Sequence, residues 1–396
     1  MKLKQTPEDF HVEELTDVAP TGAGSFSLYR LEKTGWTTPD AIQAIRRRWK
    51  LDARRVSYGG LKDRHAHTIQ YLTIYRGPER RLTHHGITVE YLGAVNAAYT
   101  SHDIRANRFR LVLRALTPAD RERAAHALAE VAGAGIPNYF DDQRFGSVSH
   151  GGRFIARAIV LGNYEEALRL ALAAPYEHDR AAQKKEKAIL RAHWNDWASC
   201  KQRLPKGHAR SIVDYLVSHA ADFRGAVERL RPELRGLYLS AYQSHLWNRM
   251  LALWLEAHAR ADQLLKVTLR LGVFPMQRAL DEQQRAELRA LRLPLPSARV
   301  RLEPGAPGAR EMEEVLCGEG ITLEQMKLKG LRQMFFSKGD RAALCMPEGI
   351  GTEAAEDELN KGREKLTLTF EMSRGSYATM LVKRITAARS VIEATG

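Results

Sequence analysis

Two hydrophobic patterns divide the chain. In residues 25–31 and 365–372, apolar and polar residues alternate, and this period of two predicts β-strands with one buried face. Residues 10–15 alternate in the manner of an edge strand, whereas the charge-rich residues 353–365 predict a surface loop. Between about 155 and 265 the spacing is typical of amphipathic helices. Strands at both ends and helices between them predict one α+β domain interrupted by an insertion, with the C-terminal strand completing the N-terminal sheet.

A helix is predicted to begin shortly before residue 40. Thr38 and Pro39 are typical of a helix cap and a first turn, and Ile42 and Ile45 follow at helical spacing on the buried face. Basic residues at 46–48 crowd the last turn, where cations suit the helix dipole. This cluster fits contact with RNA phosphates and fits a solvated helix end equally well.

A glycine-led turn with a single acid lies between the predicted strands that end at residue 58 and begin at residue 69. It holds Asp63 between Lys62 and Arg64. Gly59 and Gly60 allow backbone angles that other residues avoid, and they let another backbone or a ligand come close. Loops on a rigid support often carry functional groups. Local composition alone nevertheless favours a solvated acid that is paired to its neighbours.

The charge balance changes the weight of that loop. The chain of 396 residues has 61 Lys and Arg against 47 Asp and Glu, a formal net charge of +14. Such a surplus indicates an anionic partner, most often nucleic acid, although it also serves plain solubility. In the predicted strand 107–114, Arg108, Arg110 and Arg114 share one face, which suits contact with a phosphate backbone.

A second candidate segment, residues 138–146, directly follows a Gly/Pro turn. It combines three aromatic residues with two amide side chains and an arginine. Proteins use aromatic faces, amides and arginine to stack and hydrogen-bond unpaired bases. An aromatic mini-core beneath a loop explains the same composition, and both interpretations remain open at this point.

Other signals are negative. Three cysteines lie far apart, no two of them at metal-site spacing, and this usage fits a reducing cytoplasm. The sequence shows no apolar run near the ~20 residues that span a bilayer, and its first residues lack the apolar core of a signal peptide. We therefore expect a cytoplasmic protein with no membrane segment, metal or cofactor, and a monomer, since no dimer signature is visible.

Taken together, several short motifs resemble the TruD family of pseudouridine synthases. The match covers most of the chain, and its motifs occur at residues 4–10, 12–13, 33–38, 60–63, 66, 68, 70, 107–109, 138–140, 143–146, 242–244, 246, 248 and 375–379. Asp141 and Asp142 depart from the Gly-Glu that the family often has, and His245 and Trp247 stand where an aromatic residue and Phe are common. The resemblance implies a pseudouridine synthase catalytic domain with a mixed or antiparallel sheet in residues 1–160 plus 338–396. It also implies a mainly helical α/β insertion (TRUD) domain in residues 161–337.

The resemblance further implies the activity and the site. The family isomerises uridine in RNA, typically uridine 13 of tRNA, without a cofactor. Carried over residue by residue, the implied site contains the catalytic Asp63 with its partner Lys4, the substrate-binding Phe10, Asn138, Phe140 and Tyr377, and the RNA-binding Lys62, Arg64, Arg108 and Arg144.

The chemistry leaves several routes open. Cleavage of the glycosidic bond builds positive charge on the ribose, and a carboxylate can stabilise it, attack the anomeric carbon or remove a ribose proton. A phenylalanine at position 140 cannot take the proton from carbon 5, so water or another group must. Two alternatives remain: a non-catalytic RNA-binding protein on the same fold, and a metal-dependent nuclease using Asp141 and Asp142.

Overall fold

The chain divides into two units. The computed structural model describes residues 1–177 and 179–387. The first unit comprises Met1–Ile136 and the chain from Cys345 onward, and the second is Pro137–Leu344. The second unit therefore interrupts the first in sequence, as the hydrophobic pattern predicted. These limits differ from the domain boundaries expected at 160/161 and 337/338, and those boundaries stay predictions.

The first segment of the first unit is rich in strands. Its strands are β1 (Lys2–Leu3), β2 (Phe10–Leu15), β3 (Phe26–Thr34), β4 (Val56–Tyr58), β5 (His67–Tyr75), β6 (Leu82–His84), β7 (Ile87–Val95) and β8 (Ala106–Leu116). Its two α-helices within the described residues are α1 (Thr38–Trp49) and α2 (Pro118–Ala134).

The middle of the chain is mainly helical. Its helices are α3 (Ile155–Val160), α4 (Tyr164–Leu172), α5 (Ala181–Ala192), α6 (Trp197–Arg203), α7 (His208–Ser218), α8 (Phe223–Glu228), α9 (Pro232–His258), α10 (Glu282–Ala290) and α11 (Ala309–Glu319). The short strands are β9 (Ile136–Pro137), β10 (Leu264–Leu269), β11 (Gly272–Gln277), β12 (Arg292–Pro294), β13 (Asp340–Ala342) and β14 (Leu344–Cys345). The chain then forms β15 (Glu348–Glu356), β16 (Glu364–Ser373) and α12 (Ala378–Ala387).

One mixed sheet dominates the first unit. Its order is β15-β16-β8-β2-β5-β3-β7-β6, with β1 beside β8 and β4 beside β5. β2 and β5 run parallel, and the other pairs are antiparallel. The C-terminal β16 lies against β8, with Phe370 opposite Phe109, so the prediction that the last strand completes the sheet is confirmed.

Two predictions about this sheet are wrong. The strand at residues 10–15 is not an edge strand, because β5 and β8 flank it on both sides and come from distant parts of the chain. Part of the predicted surface loop at 353–365 is instead strand β15, which pairs only with β16 among the described residues and is largely exposed. An outer strand without a buried face has the composition of a loop, and this explains the error.

Helix α1 covers one face of the sheet. Ile42 and Ile45 are buried in a core with Leu31, Leu72 and Val89 of three strands, as their helical spacing predicted. The cap lies one residue earlier than predicted, because the Thr37 hydroxyl, and not that of Thr38, accepts the hydrogen bond from the Asp40 amide. Thr38 is instead fully buried inside the first turn.

The second unit is built around the 27-residue helix α9. Trp247 lies fully buried on this helix and donates its indole N–H to the Leu293 carbonyl oxygen at 3.1 Å. Two small antiparallel sheets, β10–β11 and β12–β13, accompany the helices. Within residues 1–177 and 179–387, no helix is long and apolar enough to cross a membrane.

Candidate active site

The loop that carries Asp63 connects β4 to β5, which pair antiparallel. At Gly59 an added Cβ would lie 2.6 Å from the Ile104 side chain and 2.9 Å from the Thr100 carbonyl oxygen, so only glycine fits. Gly60 has no such constraint, and neither glycine has a positive φ. The predicted close approach is therefore confirmed at Gly59, and the freedom of the two glycines to adopt a positive φ is not used.

Asp63 forms a short ion pair with Lys4. The Lys4 ammonium lies 2.6 Å from the Asp63 carboxylate, and both side chains are partly shielded, at 20% and 36% exposure. The same ammonium lies 3.8 Å from the centre of the Phe10 ring. Lys4 has a left-handed backbone with a φ of 58°, a conformation that costs free energy for a residue with a side chain. The fold thus brings Lys4, Asp63 and Phe10 together.

A second lysine, buried beneath the loop, fixes its backbone. Lys33 of β3 is 1% exposed, and its ammonium donates to the carbonyl oxygens of Asp63 at 3.0 Å, Trp36 at 2.8 Å and Lys62 at 3.4 Å. Burial lowers the pKa of Lys33 to about 8, although the nearby Asp63 opposes this shift. The sequence predicts no role for Lys33 and marks it only through its place in a motif of the family.

A buried hydroxyl anchors the other side of the loop. Thr38 accepts a hydrogen bond from the Lys62 amide at 2.9 Å and donates its own to the Gln70 side-chain oxygen at 2.8 Å. The Gln70 amide nitrogen donates to the Gly60 carbonyl oxygen at 3.3 Å. Since these partners belong to α1 and β5, the loop is held by regular elements and its carboxylate has a defined direction.

Lys62 points into the protein. Its ammonium lies 2.8 Å from a carboxylate oxygen of Glu14, which is fully buried, and it donates to the Asn107 side-chain oxygen at 2.9 Å. A charge as buried as that of Glu14 requires a partner. The predicted RNA contact of Lys62 is untested, but the structure gives its ammonium a structural role that the sequence did not reveal.

The predicted arginine face is only partly realised. Arg108 is exposed, although its guanidinium lies 2.8 Å from Glu371 and 3.6 Å from Glu13. Arg114 is buried, and it bonds Asp9 at 2.8 Å and Asp357 at 2.9 Å. The expectation that Arg114 shares an exposed face with Arg108 is therefore wrong, because carboxylates from two distant segments converge on it.

Arg64 follows Asp63 in the loop and is exposed. Its guanidinium donates through Nε to the Gly35 carbonyl oxygen at 3.1 Å, which holds the side chain against the turn before α1. Tyr377 also belongs to the first unit, where it precedes α12 and is half-buried.

In the second unit, Asn138 is held by hydrogen bonds on both sides of its amide. Its nitrogen donates to the Ala342 carbonyl oxygen at 3.0 Å, and its oxygen accepts from Arg341 at 2.6 Å. Arg341 also donates to the Asn138 backbone oxygen at 2.9 Å. Because a guanidinium only donates, these contacts define which end of the amide is oxygen.

Phe140 lies beside Asn138 in the chain and is 8% exposed. The Asn248 side chain bonds both the N–H and the carbonyl oxygen of Phe140 at 2.8 Å, so α9 fixes its backbone. The Phe140 ring meets Trp247 edge to face at 5.6 Å. The guanidinium carbon of Arg341 lies 4.1 Å from the ring centre, and that of Arg144 lies 5.4 Å from it. The ring is therefore held among cations, and Arg341 is a residue that sequence analysis missed.

The acids that follow Phe140 have protein partners. Asp141 is buried, and the Asp142 carboxylate accepts the Arg270 amide at 2.8 Å. In the part of the chain that the structure describes, no group of three or more His, Cys, Asp or Glu side chains is placed to hold a metal ion.

Three comparisons with known proteins agree. The family model for tRNA pseudouridine synthase D (TruD) matches residues 1–385. The tRNA pseudouridine synthase D of Geobacter sulfurreducens is 31% identical, over 97% of this chain and 93% of the relative. That of Aquifex aeolicus is 28% identical, over 97% of this chain and 98% of the relative. A crystal structure of the putative tRNA pseudouridine synthase D from Methanosarcina mazei superposes on this chain with a TM-score of 0.69 at 26% sequence identity. The match covers 97% of this chain and 93% of the chain in the crystal structure.

These matches extend over nearly the whole chain and include both of its units. The resemblance drawn from the short motifs and the α+β fold class with a mixed sheet are thereby confirmed. The chain belongs to the tRNA pseudouridine synthase D family and is an enzyme that isomerises uridine in tRNA.

Proposed function

We propose that the enzyme acts on uridine 13 of tRNA and that Asp63 is its catalytic carboxylate. The observation that carries the proposal is the 2.6 Å ion pair between Asp63 and Lys4, in a loop anchored by Lys33 and Thr38. A neighbouring cation favours the ionised form of a carboxylate and fixes its direction. An ionised carboxylate is what the reaction requires.

In this account the protein contributes positioning and charge. Asp63 acts as positive charge develops on the ribose while the bond to nitrogen 1 of uracil breaks. It serves either by attacking the anomeric carbon or by removing a ribose proton, and both routes need the same carboxylate. The uracil then turns and carbon 5 bonds to the anomeric carbon. On the first route this breaks the bond to Asp63 and frees the carboxylate, and on the second Asp63 returns the proton to the ribose. Carbon 5 then loses its proton, and nitrogen 1 gains one. Phe140 has no group that can take the proton from carbon 5, so we assign it to water or to another side chain.

The target base must leave its stack to be reached, at a cost of a few kcal/mol. We assign Phe10, Asn138, Phe140 and Tyr377 to contact with the flipped uracil. Among the described residues, one amide N–H and one oxygen lone pair of Asn138 have no partner. This pair of a donor and an acceptor suits the alternating carbonyl and N–H groups of a uracil edge.

The remaining assignments concern the RNA and the setting of the enzyme. We assign Arg64, Arg108 and Arg144 to phosphate contacts, and Lys62 to the same role, in addition to its ion pair with Glu14. We further propose a monomer that works in the cytoplasm without a metal or cofactor, with domains at 1–160 plus 338–396 and at 161–337.

The position in tRNA is tested by tritium release. Wild-type enzyme is given tRNA transcripts that carry uridine tritiated at carbon 5, with uridine 13 either present or replaced by cytidine. We expect release from the first transcript and none from the second. Equal release from both would show that another uridine is the target.

The two alternative functions are tested in the same assay. A non-catalytic RNA-binding protein would release no tritium even at stoichiometric enzyme. A metal-dependent nuclease would lose its activity in excess EDTA and would shorten the RNA. We expect full release in EDTA with RNA of unchanged length.

A further inference from the structure

A basic groove in the first unit lies next to the loop that carries Asp63. It encloses about 660 Å³ between helix α1, the turn before it, and strand β6. Pockets of about 300–1,000 Å³ take ligands of nucleotide size. None of the site residues assigned above lines the groove except Arg64, which immediately follows Asp63 in the chain.

One wall of the groove is a single face of α1. Asp40, Gln43 and Arg47 follow one another at spacings of three and four residues, and Arg48 lies four residues after Ala44, which also lines the groove, so these side chains lie on one side of the helix. Arg47 and Arg48 are exposed, and the guanidinium of Arg47 has no hydrogen-bond or ion-pair partner among the described residues.

The opposite wall holds two groups in fixed orientations. The Trp36 indole donates its N–H to the His85 carbonyl oxygen at 2.7 Å, and part of the ring packs on the core beneath α1. The rest of this ring lines the groove and forms a rigid apolar surface. His84 accepts a hydrogen bond from Arg48 at 2.9 Å. Burial, with Arg48 and His85 nearby, lowers the pKa of His84, which favours the neutral ring that can accept this bond.

Positive charge predominates in the groove. Arg47, Arg48 and Arg64 line it, and within the described residues none of them is ion-paired to a carboxylate. The one acid, Asp40, accepts a hydrogen bond from the Thr37 hydroxyl at 2.7 Å at the start of the helix. Three guanidiniums gathered around one concave surface repel one another, and a bound polyanion relieves this repulsion.

We propose that this groove binds a nucleotide of the tRNA strand that flanks the target uridine. Its phosphate oxygens would contact Arg47, Arg48 and Arg64, and its base or ribose would lie against Trp36. Arginine forks match phosphate geometry, and aromatic faces accept any base, so the site is independent of sequence. Arg64 links this site to the Asp63 loop, so a strand that places its uridine at Asp63 passes the groove. The inference rests on tRNA as the substrate and is independent of the role of Asp63.

The test compares three double variants with wild type: R47Q/R48Q in the groove, R47K/R48K with the charge retained, and R80Q/R81Q as the control. Arg80 and Arg81 are exposed, belong to the same unit and do not line the groove. Their replacement by glutamine lowers the net charge by the same amount as R47Q/R48Q. Binding of an unmodified tRNA transcript is measured by filter binding at several salt concentrations, and KM and kcat by tritium release.

We expect R47Q/R48Q to bind tRNA about tenfold more weakly, with a salt slope shallower by about 1.5 to 2, since two phosphate contacts are lost. KM should rise while kcat at saturating tRNA stays within about twofold, because neither arginine touches the reacting atoms. R47K/R48K should recover most of the affinity, and R80Q/R81Q should resemble wild type. A groove variant that binds like wild type would overturn the inference, as would a control that loses as much affinity.

The contact with Trp36 is tested by photocrosslinking. A tRNA that carries 4-thiouridine next to the target position should crosslink to the peptide that contains Trp36, and R47Q/R48Q should reduce that crosslink. Crosslinks confined to other peptides would contradict the placement of the strand. A failure of the catalytic assignment is distinguishable, because it would appear as turnover near wild type in the Asp63→Asn variant, with groove binding unaltered.

Discussion

At the scale of single residues, the site depends on two lysines that act in different ways. Lys4 meets the Asp63 carboxylate directly and lies over the Phe10 ring, whereas Lys33 never reaches the carboxylate and holds the loop through backbone carbonyl oxygens. The first sets the charge environment of the acid. The second sets the position from which the acid acts.

Replacing Lys4 by methionine should lower the rate more than the affinity. The variant removes the cation beside Asp63 but keeps most of the apolar stem over Phe10. We expect kcat to fall by about 100-fold or more, the scale of losing one catalytic electrostatic contact, with the Kd for tRNA changed less than about threefold. Lys2→Met is the control, since Lys2 is exposed and its ammonium donates to the Asn360 side-chain oxygen at 2.8 Å. A loss confined to affinity would identify Lys4 as a phosphate contact instead.

The lowered pKa of Lys33 predicts that activity falls at alkaline pH. With its pKa lowered to about 8, this amine loses its proton in the folded enzyme as pH rises through about 8, and it then has fewer N–H groups for the three carbonyl oxygens. We expect kcat/KM to fall above pH about 8. The K33M variant should be slower at every pH and should lack this descending limb. A limb that persists unchanged in K33M would refute the assignment.

The effect of Lys33 on stability has the opposite sign. Its folded pKa lies below the usual 10.5, so between pH about 8 and 10.5 the unfolded chain binds more protons. The contribution of Lys33 to the free energy of unfolding therefore increases through that window, and the cost of burying its charge is fully present below pH about 8. Above pH about 8, turnover should therefore fall while the contribution of Lys33 to the free energy of unfolding rises. Turnover and urea unfolding measured over the same pH range test this.

At the scale of elements, buried polar contacts tie the catalytic loop to the sheet. Lys62 leaves the loop to pair with Glu14 in the interior strand β2, and Thr38 joins the first turn of α1 to β5 through Gln70. The sequence showed the loop and its flanking strands, but it did not show these contacts. Each contact depends on which distant segments become neighbours, and alternation within one strand carries no such information.

Replacing Lys62 by methionine should destabilise the protein. The change leaves the fully buried Glu14 carboxylate without its ammonium partner, and breaking a buried pair in this way costs about 3–5 kcal/mol. Urea unfolding should show the loss. Arg54→Gln is the matched control, because Arg54 is 90% exposed in its ion pair with Asp52, and its change should stay within about 0.5 kcal/mol. A K62M variant of unchanged stability would contradict the structural role of this pair, whereas weakened tRNA binding would support the phosphate contact assigned to Lys62.

The same limit explains what was missed in the second unit. The local composition of residues 138–146 indicates either a base-binding segment or an aromatic mini-core. The guanidinium of Arg341 lies over Phe140 and orients Asn138. Arg341 belongs to a strand that comes 203 residues after Asn138 in the sequence. No local pattern marks that arginine. A buried aromatic ring and a bonded amide also satisfy the mini-core interpretation, so the base contact is a proposal that rests on chemistry.

At the scale of the whole molecule, the net charge of +14 is the relevant quantity. Several exposed arginines are already paired within the protein, as Arg108 is with Glu371, so only part of the basic surplus is available to RNA. Binding of tRNA should still weaken steeply with salt, because phosphate contacts release counterions. Filter binding between low and moderate salt measures the slope. Affinity that is independent of salt would show that the charge serves solubility alone.

The insertion of one unit into another was visible in the sequence because strands resumed after a helical middle. Its limits were less accessible: contacts divide the chain after Ile136 and before Cys345, and neither position carries a strong composition change. The family match extends through both units, so both belong to the machinery of one tRNA-modifying enzyme.

The most direct test of the account is the Asp63→Asn variant in the tritium-release assay, with tRNA binding measured on the same preparation. The substitution keeps the size of the side chain and removes the carboxylate. We predict no detectable release at stoichiometric enzyme, with a Kd for tRNA within about threefold of wild type. Release near the wild-type rate would contradict the account, because the reaction would then proceed without the carboxylate to which the loop, Lys4 and Lys33 are assigned.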